Sequence, residues 1–221
     1  MSQTRGPGRP RGADAADLLE IARQVFVAHG FAGTTMGAIA NQARVSKASL
    51  YRDYPSKDAL YAAVVEDWVT RGHDVMRPHV EALVAGHDTV ADLHRLARTI
   101  QAAVLSPAVL AMRTLVAAEA GRFPDVASTY VTDSWQSNIE SLAAAFAVLS
   151  EQGRIRTGDP LVAAEQLTWL LVAVPLNRAT LRGPGSWLPP AELDRIADEA
   201  LSTFLARFGP DGPATAPEPA V

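Results

Sequence analysis

The chain has 221 residues, 48% of them hydrophobic, with no cysteine and a formal net charge of −4. It can bury a sizeable core in one or two domains, while disulfide frameworks, cysteine–zinc sites and a catalytic thiol are excluded. The charge is unevenly divided: residues 1–58 hold eight Lys/Arg against five Asp/Glu, and the remainder holds twelve against nineteen. A basic head on an acidic body is the asymmetry expected where only the head meets phosphate. The longest apolar run, Leu167 to Leu176, is short for a bilayer span and contains Pro175. The basic N-terminus opens onto Gly and Pro with no apolar stretch behind it, so no signal peptide or membrane anchor is expected, and the expected location is cytoplasmic.

In chain order, residues 1–12 carry Arg5, Arg9 and Arg11 among Gly and Pro and read as a flexible basic arm. A DNA-binding-sized head is expected over 13–58, a larger helical body over 59–208 and a disordered Pro- and Ala-rich tail over 209–221. The first helix starts near Asp14 as N-cap, with Asp17 three residues on, and stops at Gly30. Its apolar stripe is Leu18, Ala22, Val25 and Phe26. Thr35 caps a short second helix that buries Ile39, Ala40 and Ala43. Arg44 and Val45 make a turn, Ser46 caps a third helix through Tyr54, Pro55 ends it, and Ser56 caps a long fourth. Three helices with a tight turn between the second and third are the helix-turn-helix pattern. Further helices are expected at about 88–105, 107–121, 124–152, 159–182 and 190–208, with Pro78 and Pro175 each ending or kinking a helix. No strand-like alternation occurs, so the fold class is all-α.

Helix geometry sorts the third helix into faces. Leu50 and Tyr54 are four apart and form the face that docks on the first helix; at about 100° per residue, Ala48 and Arg52 point most directly away. Ser49 and Tyr51 flank them, and Lys47 lies sideways near the helix start. Small residues for close approach, a hydroxyl, a phenol and a guanidinium are what reading a major groove needs.

The resemblance is to a known family. The segment from Phe31, Phe-Ala-Gly-Thr-Thr-Met-Gly-Ala-Ile-Ala, and that from Ala43 to Leu60, Ala-Arg-Val-Ser-Lys-Ala-Ser-Leu-Tyr-Arg-Asp-Tyr-Pro-Ser-Lys-Asp-Ala-Leu, closely resemble the DNA-binding domain of the TetR family over about residues 14–62. The resemblance implies a homodimeric repressor on double-stranded operator DNA, released by a small hydrophobic or amphipathic effector. By position, Thr35, Ser46, Lys47, Ala48, Ser49, Tyr51, Arg52 and Lys57 match family DNA contacts. Gly8-Arg9-Pro10-Arg11 resembles a minor-groove arm, which brings in Arg9 and Arg11. Asp53 departs from the pattern, standing where the family has His or another neutral or basic residue; it is expected to turn aside or to pair with Lys57.

In the body, Ala118 to Asp125 resembles a recurrent family segment, and the last two helices would form the family's four-helix dimer interface. Leu167, Leu171, Val174, Leu181, Ile196, Leu201, Phe204 and Leu205 are expected on that seam or in the core beneath it. Trp68, Gln101, Met112, Trp135, Asn138 and Trp169 lie among apolar neighbours and either line an effector cavity, which needs apolar walls and few polar anchors, or are ordinary core. No metal, cofactor or enzymatic function is expected: His87 and His94 are seven apart, about two helical turns or ~10 Å, and no phosphate loop, nucleophile elbow or zinc-protease motif occurs. The rival reading is an all-α ligand-binding or enzymatic bundle without DNA function, against which the ordered motif and the charge division both count.

Overall fold

A computed structural model describes residues 15–72, 75–182 and 188–212. The expected arm with Arg9 and Arg11, the Asp14 cap and the tail beyond residue 212 lie outside the described residues. Those that are described are helical throughout, with no strand. Eleven helices run in order: α1 Ala15–Gly33, α2 Met36–Gln42, α3 Lys47–Asp53, α4 Lys57–Gly72, α5 Arg77–Ala85, α6 Thr89–Val104, α7 Pro107–Glu119, α8 Pro124–Tyr130, α9 Ser137–Glu151, α10 Pro160–Arg182 and α11 Pro190–Phe208. A π-helical turn, Val131–Gln136, joins α8 to α9.

The chain divides into two compact units after Trp68, inside α4, ten residues beyond the expected boundary at 58. The reason is that the first turns of α4 belong to the head. Tyr61 meets Phe26 and Phe31 edge-on at 5.6 and 5.3 Å, and those two phenylalanine rings lie parallel at 5.8 Å. Leu60, Val64 and Val65 are buried beside them. Trp68 also belongs to this unit: Arg23, paired to Glu20 at 2.6 Å, lies over its indole at 4.9 Å.

The second unit is built around one apolar core drawn chiefly from α6, α9, α10 and α11. Leu93, Leu96 and Ala97 share this core with Phe146, Leu149, Leu167, Leu171, Leu201 and Phe204, and the Phe204 ring lies tilted between Phe146 and Phe208 at 5.2 and 5.0 Å. Sequence periodicity anticipated most of these helices but not α5. Pro78 sits in that helix's first turn, where a missing N–H costs nothing, and so begins a helix rather than kinking one. The single helix expected over 124–152 is instead α8, the π turn and α9. Residues 209–212, expected in the tail, are held to the body: Arg156 donates from its backbone N–H to the Phe208 carbonyl at 2.7 Å and from its guanidinium to the Gly212 carbonyl at 3.2 Å.

Two polar residues, Arg154 half-buried and Gln101 buried, tie helices of the second unit together. Arg154 follows α9, whose end at Gly153 (φ 69°) adopts the left-handed conformation that glycine takes cheaply. Its guanidinium donates to the Thr89 hydroxyl at 2.8 Å and to the carbonyls of Val84 and Leu83 at 2.9 and 3.3 Å, which joins α5, α6 and α9. Gln101 resolves the consequence of Pro175. A proline inside a helix has no N–H for the carbonyl four residues back, here Leu171. Gln101, 4% exposed, donates its side-chain amide to that carbonyl at 3.0 Å. The kink is therefore satisfied from α6.

The α10 helix is apolar nearly all round. Pro160–Leu181 is long and apolar enough to cross a bilayer, longer than the run from Leu167 suggested, but one side of it is core. The residues expected on the dimer seam or in the core beneath it divide accordingly. Leu167, Leu171 and Leu201 are 0% exposed and Phe204 1%, so they fill this chain's own core and face no partner. Ile196 and Leu205 are half-buried. The outward apolar stripe is Val162, Trp169, Leu170, Val174 and Leu181, all at least 40% exposed. A helix with two apolar sides gives no periodic clue to which side faces inward.

Replacing Gln101 by Leu leaves the Leu171 carbonyl buried and unpaired, which should cost roughly 1–3 kcal/mol of stability in chemical denaturation. Pro175→Ala restores a helix N–H to that carbonyl, so the same substitution should cost markedly less in that background. Equal costs in the two backgrounds would contradict this account of the kink.

Candidate nucleic-acid interface

The head is organised by how α1 ends. Gly30 takes φ 67° and breaks the helix, so the chain turns and Phe31 tucks back, 1% exposed. The two adjacent threonines after it divide their roles. Thr34 is buried and donates its hydroxyl to the Gly30 carbonyl at 2.7 Å, sealing the end of α1. Thr35 faces out and caps α2, its hydroxyl oxygen accepting from the Ala38 N–H at 3.1 Å. The Ser46 hydroxyl caps α3 in the same way, accepting from the Ser49 N–H at 3.0 Å. In both caps the hydroxyl hydrogen remains available to a phosphate oxygen.

Between them lies the turn of the motif. Val45 N–H returns to the Ala40 carbonyl at 3.0 Å and Arg44 N–H to Asn41 at 3.2 Å, the paired bonds of a Schellman cap. Arg44 holds its left-handed position at φ 56°, where glycine would be cheaper. Met36, Ile39, Ala40 and Ala43 bury one side of α2.

Helix α3 buries a single residue completely, Leu50 at 1% exposure. Lys47, Ala48, Tyr51 and Arg52 are exposed and Ser49 is half-buried. This matches the face expected from helix geometry, except that Tyr54 has left the helix as an extended C-cap. The phenol of Tyr54 is pushed above its ordinary pKa by burial first, then by the carboxylates of Asp53 and Asp67. It therefore stays neutral and adds no negative charge beside the reading face. The Arg52 guanidinium is held along one edge by two acceptors, its Nε donating to Asp53 Oδ1 at 3.1 Å and Nη2 to Ser49 Oγ at 3.0 Å. Asp53 thus pairs with Arg52 and not with Lys57. The stem of Lys47 crosses Gly37, where a Cβ would come within 2.8 Å of its Cε, so glycine gives that side chain its path.

Lys57 is the clear correction among the expected DNA contacts. Its ammonium donates to the carbonyls of Phe31 at 2.7 Å and Thr34 at 2.8 Å, and lies 4.3 Å from the Phe31 ring centroid. The kink at Gly30 turns those carbonyls towards the start of α4, and the lysine gives each of them a charged donor. Spacing along the sequence places Lys57 beside the motif but cannot show a bond spanning 26 residues. Thr34 and Gly37 were likewise not singled out from sequence, since a buried threonine and a helical glycine carry no charge or motif signal.

The expected effector residues scatter. Trp68 is in the first unit under Arg23, not among the central helices of the body. Gln101 is spent on Leu171, and Asn138 donates its side-chain amide to the Ser134 carbonyl within the π turn. Met112 is fully buried in α7. Only Trp135 and Trp169 come together, with ring centroids 5.1 Å apart, and Trp169 is 42% exposed. Arg113, missed from sequence, lies 5.7 Å over the Trp135 ring. Its charge also acts on Tyr130, whose phenol burial raises while Arg113 partly offsets the shift.

A capped two-helix motif presenting a guanidinium, a lysine, hydroxyls and a phenol on one short helix defines a helix-turn-helix DNA-binding regulator. Residues 18–64 match the bacterial regulatory proteins of the TetR family, and residues 91–210 match the C-terminal domain of AefR-like transcriptional repressors. The chain belongs to the TetR family, whose members are non-enzymatic DNA-binding regulators. A TetR-family transcriptional regulator from Mesorhizobium loti superposes with a TM-score of 0.83 at 30% identity, over 87% of this chain and 95% of its own. The flavonoid-responsive regulator FrrA superposes with a TM-score of 0.66 at 26% identity, over 88% and 96%. The transcriptional activator FasR of Mycolicibacterium smegmatis is 38% identical over 82 residues, a stretch that spans 37% of this chain and only 32% of FasR.

Lys57→Met removes the ammonium while keeping an apolar stem. Hydrogen bonds to a charged group at this site should make the loss roughly 1.5–3 kcal/mol of stability, and the salt dependence of DNA binding should keep its slope. Unchanged stability with a flatter slope would restore Lys57 to the phosphate contacts. Gly37→Ala places a methyl where the Lys47 stem runs. It should leave thermal stability intact, because the flexible end of a lysine yields easily, while weakening binding to all duplexes alike.

Proposed function

We propose that the protein is a homodimeric repressor that occupies an inverted-repeat operator and leaves it when a small apolar or amphipathic effector binds the second unit. The observation that carries the DNA half of this reading is the exposed face of α3, with Arg52 at its centre and hydroxyl caps at either side. On this reading Arg52 contacts a guanine edge, Tyr51, Ser49 and Ala48 lie along the groove, and Thr35, Ser46 and Lys47 hold phosphates. The match of the C-terminal half to repressors supports the direction of regulation. The FasR match favours activation instead, and transcription from the bound promoter distinguishes the two. Such a regulator acts on cytoplasmic DNA.

For the partner face the outward stripe of α10 keeps Val174 and Leu181 from the residues first expected and adds Val162 and Leu170. A two-fold dimer built there presents two copies of α3, and binding by both heads at once requires two half-sites about one DNA turn, or ~34 Å, apart. For the effector, the Trp135–Trp169 pair with Arg113 beside it offers aromatic walls and one cation. That chemistry suits a flat, amphipathic molecule with an acidic or carbonyl group.

Mobility shift with the DNA flanking the protein's own gene tests operator binding directly. Arg52→Ala should cost about 1–3 kcal/mol and relax preference at one position per half-site; equal losses on operator and random duplexes would remove its base-reading role. The double variant Leu170→Asp, Val174→Asp should sediment as a monomer and bind operator roughly a hundredfold more weakly. Retention of dimer mass would overturn the choice of face.

A further inference from the structure

We propose that Asp53 is a positioning residue for base recognition, holding Arg52 as a preset fork so that the operator's guanine is discriminated through it. The proposal rests on the reading of Arg52 as the base contact. An acid at the end of the reading helix is at first sight a liability, because its charge repels phosphate on every sequence. The geometry gives it a compensating task. Arg52 is the long, exposed side chain at the centre of the face, its side chain 72% accessible, and an untethered arginine must give up rotamer freedom to read a base. Here it is tied before DNA arrives, by Asp53 Oδ1 at Nε (3.1 Å) and by Ser49 Oγ at Nη2 (3.0 Å).

These two acceptors occupy one side of the guanidinium, the edge shared by Nε–H and one Nη2–H. The terminal edge, formed by Nη1 and the other Nη2–H, has no partner among the described contacts. That edge is the bidentate donor that matches O6 and N7 of guanine in the major groove. The charge on Asp53 strengthens its bond to the guanidinium, while an ion pair this exposed contributes little to folding. Asp53 therefore works against affinity for all DNA and in favour of discrimination.

Two substitutions that change the charge equally separate these effects. Asp53→Asn and Asp53→Ala both delete the negative charge, but only Asn keeps an acceptor within reach of Nε. Duplexes selected by the wild-type protein from a randomised library supply the preferred sequence, and a scrambled duplex of equal length supplies the reference. Both variants should bind the scrambled duplex more tightly, by the same factor. Discrimination against a changed guanine should fall roughly fivefold or more in Asp53→Ala, on the scale of one lost bidentate contact, and less in Asp53→Asn. In an Arg52→Ala background neither change should alter discrimination further. If Asp53→Asn and Asp53→Ala tighten selected and scrambled duplexes equally, with base preference unchanged, Asp53 is a repulsive charge only and the proposal is wrong. If Arg52→Ala alone keeps full base preference, the base-reading role of Arg52 fails first, a result visible in that single variant, and the proposal falls with it.

Discussion

An ammonium held against the turn that follows α1 orders the head of this protein. Gly30 kinks α1 near its end, and the chain then turns with the Phe31 carbonyl accepting the Thr34 N–H at 3.3 Å. Lys57, the first residue of α4, donates to the carbonyls of Phe31 and Thr34 and rests on the Phe31 ring. A lysine suits this joint because its compact ammonium can donate in three directions, where an arginine fork is flat. The bond fixes the start of α4 to the point where α2 begins. The reading helix depends on that frame. Helix α3 has seven residues, about two turns, and would be marginal alone. With only Leu50 fully buried, it takes its orientation from the caps at Thr35 and Ser46 and from the turn at Arg44.

The polar groups of the head therefore fall into two sets that look alike in sequence. Lys57 and Thr34 are turned inward and hold the frame, whereas Lys47, Thr35, Ser46 and Arg52 are turned outward. Adjacent threonines on opposite sides of the boundary show how local the distinction is. The second unit repeats the lesson with amides. Gln101 mends the backbone at the Pro175 kink, and Asn138 adds a second donor to the Ser134 carbonyl in the π turn. At Leu171 the reason is plain, since a buried carbonyl without a helix donor is costly enough to claim the nearest amide.

Much of this was legible in the sequence. Capping residues, glycine and proline positions and 3.6-residue periodicity placed the helices of the head to within a residue or so, because each signal is local. The exposed face of α3 followed from geometry alone. The parts that were not legible share one physical feature: they depend on contacts between residues distant in sequence. The Lys57 bond, the Gln101–Leu171 bond and the choice of which side of α10 is core all belong to that kind. In α10 the apolar residues run nearly all round the helix, so Leu171 and Val174 look equivalent until the core selects one of them. Asp53 is out of place from sequence alone, expected to turn aside or to pair with Lys57. Counting along the chain suggested Lys57, which was already committed elsewhere, and the adjacent Arg52 took the bond.

The central claim is that α3 reads the major groove. Interference by methylation of duplex DNA tests it without altering the protein. Dimethyl sulfate places a methyl on guanine N7, in the major groove, where an arginine fork would have to approach. Methylated guanines should be excluded from the bound fraction at two positions related by a two-fold axis, with centres about one helical turn, or ~34 Å, apart. A bound fraction in which N7-methylated guanines are as frequent as in the input, with no such pair of positions, would contradict the claim.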